Sequence, residues 1–330
     1  MKLAVLFGGD SMERDVSVAS AAQIVRALRS RGHDVTAVDA ERGPLSDSDE
    51  AATLGKQINK EPPPRVKGAA MPRVIGELAG RGYDVVVLAL HGGTGEDGTV
   101  QALLDVHGLT YTGSGRLASA IAWDKAVSKQ LFRGAGVPTP DWLLAPADAE
   151  TVERELGFPV IVKPSGQGST VGLTLVEAAS ELAAAIEFAG QFDRDVLIEA
   201  FIAGRELTVG VLEGKPLAVG EIIPAHGGIF DYEAKYQPGG AVETFPADVS
   251  ADIAAAVQRL GCAAHVALKL DDYSRVDFRL DTDGELWCLE ANTLPGMSAG
   301  SLLPQSAAAA GIPFDELCER ICKAALARGR

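Results

Sequence analysis

Residues 275–292 set the constraint that the rest of the chain must satisfy. Two runs rich in β-formers, 275–280 and 285–292, flank Asp281-Thr282-Asp283-Gly284, residues that supply turn hydrogen bonds and a positive φ, so the pattern predicts a β-hairpin. Closing it on those four residues sets Leu280 opposite Glu285 and Asp277 opposite Cys288. Val276, Phe278, Leu280, Trp287, Leu289 and Ala291 then share an inward face, and Arg275, Asp277, Arg279, Glu290 and Asn292 the other. Asp277 and Glu290 come out as diagonal neighbours, roughly 7–8 Å apart. Two carboxylates and an amide suit a hard cation such as Mg²⁺, which takes one or two carboxylates together with substrate phosphates. The same face also reads as a solvated strand edge kept soluble by its acids, and the hairpin alone leaves both readings open.

At 330 residues the chain exceeds one ordinary core and predicts two or three domains. A formal charge of −15 excludes a nucleic-acid backbone or an anionic membrane as the natural partner, yet leaves room for small phosphate compounds held by local lysines and backbone amides. No apolar run approaches the ~20 residues of a membrane span, and Met1-Lys2 leads into a strand rather than a signal sequence, so a cytoplasmic protein is expected. Cys262, Cys288, Cys318 and Cys322 lack Cys-x-x-Cys spacing and read as reduced, buried thiols.

From the start of the chain, an apolar strand at 2–7 runs into Gly8-Gly9 and a helix beginning near Asp10 or Ser11. Strand, glycine turn and helix N-terminus make a small-ligand crevice in an open parallel sheet, although the dinucleotide spacing is absent. Asp10-Ser11-Met12-Glu13 fits a capping box, and on these residues alone capping has a stronger claim on Glu13 than substrate binding. Residues 41–73, with Pro62-Pro63-Pro64, read as a mobile or weakly ordered excursion. The run at 84–90 is apolar on both faces and predicts a central parallel strand, ending in His91-Gly-Gly-Thr-Gly-Glu-Asp-Gly98 beside the same crevice. A linker at 111–115 puts a boundary near residue 114, before a helix over 117–135 carrying Lys125 and Lys129. Strands at 160–163 and 174–176 bracket a loop rich in glycine and hydroxyls, Pro164 to Gly172, with Lys163 at its root; it suits phosphates or an ordinary flexible hairpin equally. A strand at 195–200, strands from 207 onward, a loop over 227–240 of lid-like length and helices at 250–269 and 313–326 complete the pattern.

Together these motifs resemble the D-alanine–D-alanine ligases of the ATP-grasp superfamily over nearly the whole chain. The likeness is carried by Phe7-Gly-Gly-Asp-Ser-Met-Glu-Arg-Asp-Val-Ser17, His91 to Gly98, Tyr111-Thr-Gly-Ser-Gly115, Asp124-Lys125, Lys163 to Gly172, Asp231-Tyr-Glu-Ala-Lys-Tyr236, Arg275-Val-Asp-Phe278 and Glu290-Ala-Asn-Thr-Leu-Pro-Gly-Met297. The resemblance implies a three-domain ATP-grasp fold of α/β and α+β class: an N-terminal open parallel α/β domain (1–113), a central lid subdomain (114–199) and a C-terminal domain with the magnesium and catalytic residues (200–330). It implies ATP-dependent joining of two D-alanines through a D-alanyl phosphate for peptidoglycan precursors, and a homodimer. Alternatives are a related ATP-grasp ligase with another substrate pair or a non-catalytic nucleotide sensor.

The resemblance also implies roles. Asp277, Glu290 and Asn292 would ligate two Mg²⁺ ions, with Mn²⁺ able to substitute. Lys125 and Lys163 would contact phosphates beneath a loop containing Gly168, Ser169 and Thr170. Glu199, Ala200 and Ile202 would face adenine, Glu206 the ribose, and Lys235 the γ-phosphate. Glu13 would hold the first ammonium near His91 and join Ser169 and Tyr236 in a closure set. Arg275 and the Gly296 N–H would stabilise the oxyanion, and Ser301 with Leu302 would receive the second carboxylate. Family members often have Glu at the position of Gln167, His at that of Gly300 and an aliphatic residue at that of Trp123, and Tyr236 favours an amine acceptor over D-lactate.

Overall fold

The structure is a computed structural model that describes residues 1–55, 58, 70–225 and 239–329. Its first layer is a sheet in the order β3-β2-β1-β4, built from β1 (Lys2–Phe7), β2 (Asp34–Asp39), β3 (Gly43–Pro44) and β4 (Val85–Leu88). β1 runs parallel to both β2 and β4, as all-apolar strands buried on two faces do. Helices α1 (Arg14–Ser30), α2 (Asp47–Leu54), α3 (Met71–Ala79) and α4 (Thr99–Val106) accompany them.

Two expectations change here. β4 ends the strand order rather than sitting at its centre, and its outer edge is covered by the chain at 110–112, where Val86 N–H donates to Thr110 O at 2.8 Å. Within the excursion expected at 41–73, the described residues form ordered elements: β3 pairs with β2, and Ser46 caps α2 by accepting from Asp49 N–H. The three prolines lie outside the described residues.

The helix expected over 117–135 is two helices, α5 (Arg116–Trp123) and α6 (Lys125–Gly134). Asp124 leaves the helical conformation, with ψ 101°, and its side chain accepts from Val127 N–H at 3.1 Å, so it caps the second helix. The next sheet, in the order β5-β8-β6-β7, comprises β5 (Trp142–Leu144), β6 (Val160–Pro164), β7 (Thr174–Val176) and β8 (Val196–Ala200), with α7 (Ala149–Glu155) and α8 (Leu182–Ala189) packed on it.

The third sheet, β11-β10-β9-β12-β13, contains β9 (Arg205–Leu212), β10 (Lys215–Pro224), β11 (Ala241–Thr244), β12 (Tyr273–Leu280) and β13 (Leu286–Asn292). α9 (Ala251–Ala267) covers its inner face together with α5 and α6, which thus serve this core although they precede the middle sheet in sequence. α10 (Leu302–Ala309) and α11 (Phe314–Arg328) return to the first layer, where Leu317, Cys318, Ile321 and Cys322 enter the core of β1 and β4. All four cysteines are free, and all but Cys262 are buried.

The predicted hairpin is β12–β13, but its register differs. Asp277 pairs directly with Glu290, Phe278 with Cys288 and Leu280 with Leu286, because Leu289 is an extra, bulged residue. The bulge reverses the alternation along the second strand. Leu286, Cys288 and Ala291 enter the core, while Trp287 swings out to donate to Asp281 across the turn at 2.8 Å and Leu289 joins the polar side. The two carboxylates are therefore direct cross-strand partners rather than diagonal ones.

Candidate active site

Three adjoining cavities lie along the polar face of β12–β13. The largest, about 560 Å³, is lined by Glu199, Ala200, Ile202, Glu206 and Leu289, with Lys163 at its inner end. Its floor is an ion triad. Lys163 stands on β6 and Glu199 on the neighbouring β8, so their side chains meet across the strands at 2.7 Å, and Lys129 reaches the other carboxylate oxygen from α6. Lys129 also donates to Thr139 Oγ1 at 2.7 Å. Burial pulls Lys129 down to about 8, against the attraction of Glu199. Burial works to raise Glu199, but the two lysines outweigh it and hold the carboxyl below its ordinary range. Glu199 is therefore an anchor for two cations more than a free acceptor for adenine. Lys129 is the residue that reading the sequence missed, although it follows Lys125 by one helical turn.

A second cavity, about 120 Å³, adjoins the first and shares Lys163, Glu206 and Leu289 with it. Lys125, Lys163, Thr170, Glu206, Arg275, Asp277 and Glu290 line it. Lys125 bonds Gln167 O at 2.7 Å and Glu290 at 3.1 Å. Arg275 forks onto Asp277 at 2.9 and 2.8 Å, Asn292 Nδ2 donates to the same carboxylate at 2.9 Å, and Thr208 adds a bond at 2.7 Å. Each paired carboxylate thus already faces a cation. Asn292 spends its amide nitrogen on Asp277, which leaves its carbonyl oxygen to face a cation. Among the described residues no group of three His, Cys, Asp or Glu is placed to hold a metal ion, and the donors this face offers are two carboxylates and one amide oxygen. That set fits Mg²⁺ shared with phosphates and fits zinc poorly.

The third cavity, about 210 Å³, shares Gly168, Ser169, Arg275, Glu290 and Leu302 with the second and adds Glu13, His91, Gly296 and Ser301. The capping box is not formed. Glu13 occupies the N-cap position of α1 without capping it, and its carboxylate instead accepts from Ser169 Oγ. Ser11 uses its hydroxyl to donate to His91 O. His91 is buried, and burial lowers its pKa, so the ring is neutral. Because a carbonyl only accepts, Nδ1 carries the proton donated to Leu294 O at 2.9 Å, and Nε2 accepts from Ser20. Glu96, a second missed residue, receives Gly92 N–H at 3.0 Å; burial, reinforced by Glu13, pushes it up to about 8 and keeps it protonated at neutral pH. Ser301 is the N-cap residue of α10 and bonds Ser298 Oγ at 2.8 Å. The amides of Leu302 and Leu303 precede the first intrahelical bond, from Gln305 N–H to Ser301 O, so this helix start suits an anion. Lys235 and Tyr236 lie outside the described residues.

Family models described as "D-ala D-ala ligase N-terminus" and "D-ala D-ala ligase C-terminus" match residues 2–114 and 131–323. The chain belongs to the D-alanine–D-alanine ligase family. A D-alanine–D-alanine ligase of Synechococcus sp. (strain JA-3-3Ab) is 41% identical over 333 residues, covering 99% of this chain and 94% of that one. One from Geotalea uraniireducens is 42% identical over 326 residues, covering 98% and 95%. Among solved structures of the family, the Bacillus anthracis ligase superposes with a TM-score of 0.77 at 32% identity, covering 100% of this chain and 98% of that one. The same enzyme complexed with ATP gives 0.76 at 29% identity, with the same coverage. The ATP-grasp fold expected of a D-alanine–D-alanine ligase is therefore the fold observed.

Proposed function

We propose that the protein joins two D-alanines into D-alanyl-D-alanine at the expense of ATP, through a D-alanyl phosphate, in the supply of peptidoglycan precursors. The observation that carries this reading is the continuity of the three cavities. A nucleotide-sized hollow ends on lysines and carboxylates, which open in turn onto a pocket with Glu13 on one side and a helix N-terminus on the other.

In this reading the base and ribose lie against Ala200, Ile202 and Glu206, while Lys125 and Lys163 hold phosphates under Gly168, Ser169 and Thr170. Asp277, Glu290 and Asn292 would hold two Mg²⁺ ions, whose chemistry when bound is to neutralise the triphosphate. Glu13 pairs with the ammonium of the first D-alanine, and neutral His91 keeps that pocket free of a competing positive charge. The carboxylate of that D-alanine attacks γ-phosphate, ADP departs, and the amine of the second D-alanine then attacks the acyl carbonyl. Arg275 and the Gly296 N–H stabilise the oxyanion that this attack creates, and phosphate leaves as the peptide bond forms. Ser301 and the Leu302 amide fix the second carboxylate. Ser169, held by Glu13, closes the loop over the site and excludes water from the acyl phosphate. Lys235 and Tyr236 complete the set from the segment at 226–238.

We read the chain as units 1–113, 114–199 and 200–330, with α5 and α6 serving the last, and the protein as a cytoplasmic homodimer. No helix among the described residues is long and apolar enough to cross a membrane. The test is phosphate release with ATP and Mg²⁺ across D-alanine, L-alanine, D-serine and D-lactate, with products identified by mass. D-alanyl-D-alanine formed with one phosphate per peptide supports the reading; turnover only with another pair moves the protein to a different ligase activity.

A further inference from the structure

Ser169 and Thr170 have φ of 51° and 62°, a left-handed conformation that residues with side chains keep only when their surroundings hold them there. The glycine-rich loop that contains them needs fixed points outside itself. Its crown is held by Glu13 on Ser169, and its underside by Lys125 on Gln167 O at 2.7 Å. Its entry is held at Gly166. A methyl carbon built on Gly166 would fall 2.8 Å from Trp123 Nε1 and 3.0 Å from Asp193 Oδ2. Gly166 is not among the positive-φ glycines, so space rather than torsion demands glycine there. Its N–H donates to Asp193 Oδ2 at 2.6 Å, which clamps the peptide between a carboxylate and an indole. The residues after Trp123 knit to the same entry: Ser165 Oγ donates to Asp124 at 2.9 Å, and Ala126 N–H donates to Ser165 Oγ at 3.2 Å. The indole also borders the small hollow behind Gln167, Gly168, Glu290 and Asn292.

We propose that Trp123 is a positioning residue for phosphate transfer: its indole sets the height at which the glycine-rich loop enters over the triphosphate, and Gly166 is the complementary notch. This rests on the reading of the adjoining cavities as an ATP site. An indole that merely fills space would, when lost, lower Tm without favouring one substrate over another. A displaced loop weakens ATP binding first, and reaches the amino-acid pocket only through Gly168 and Ser169, because Glu13 and Ser301 stand on other segments.

The experiment compares Trp123→Leu, Gly166→Ala and the double variant with the unaltered protein. ATP affinity is measured by calorimetry with Mg²⁺ and no amino acid, and KM for D-alanine is measured at saturating ATP. Forcing a methyl into filled space is expected to weaken ATP binding by about tenfold in Gly166→Ala, and removing the indole as well should restore most of that loss. KM for D-alanine changes by less than the ATP affinity does, because Glu13 and Ser301 lie outside the loop. Gly166→Ala binding ATP normally, or losses that simply multiply in the double variant, overturn the proposal. Should Gly166→Ala fail to fold, Trp123→Phe decides: weaker ATP binding at unchanged Tm supports the proposal, and unchanged affinity overturns it. Because binding is read without turnover, an unaltered protein that binds ATP yet makes no D-alanyl-D-alanine defeats the ligase reading and leaves this one standing.

Discussion

Glu199 meets Lys163 across adjacent strands of one sheet, whereas Glu13 meets Ser169 across 156 residues of chain, from the first layer to a loop of the second. On the proposed reading, the nucleotide end is therefore fixed by the same pairing that makes the fold. The amino-acid end is assembled only when three separate segments come together: the turn before α1, the glycine-rich loop and the turn at 296–301. A preformed binding cavity feeding a conditional reaction chamber is the arrangement expected of an enzyme that must hold an acyl phosphate away from water.

The largest expected effect falls on the chemistry. Glu290→Gln should leave ATP-induced stabilisation in place and lower kcat by about 10³, the scale of several kcal/mol of charge stabilisation. Near-normal turnover in a phosphate-release assay would remove Glu290 from the metal set. Arg275→Ala should cost on the order of 10²–10³ in kcat as a lost oxyanion donor. A change confined to KM would make its fork onto Asp277 merely structural.

Lys129→Met sharpens the contrast from the nucleotide side. It leaves Glu199 buried with Lys163 as its one cation, so about 1–3 kcal/mol of stability should be lost in a denaturant titration, with ATP affinity falling alongside. Full stability would mean that Lys163 alone satisfies the carboxylate. The smallest effect belongs to the amino-acid side. Glu96 is protonated in the folded protein up to about pH 8 but would ionise near its ordinary value when unfolded. Between those values the folded state binds more protons, so stability declines as pH rises through the window. Glu96→Gln should flatten that decline in Tm measured from pH 5 to 8, and an unchanged slope would place the titration elsewhere.

Much of this was legible in the residues. The hairpin was legible from its turn and its β-formers, and the phosphate loop from glycines between two strands. The bulge was not, although Cys288-Leu289 left a trace, two apolar residues in succession where alternation requires one. Asp124 carried the signal of a helix start inside an otherwise continuous apolar pattern. Glu13 shows the limit most clearly. Its local sequence satisfies a cap, and Ser169, brought in by tertiary structure, takes the carboxylate instead. Local pattern lists what a side chain is able to do, and packing chooses among those options.

α11 packs against α1 and β4, far from its own place in sequence. On the ribosome, the first domain to emerge is consequently the last to be finished. Until residues 314–328 have been synthesised, the nascent sheet keeps an apolar face wet, open to chaperones and to its neighbours on a polysome.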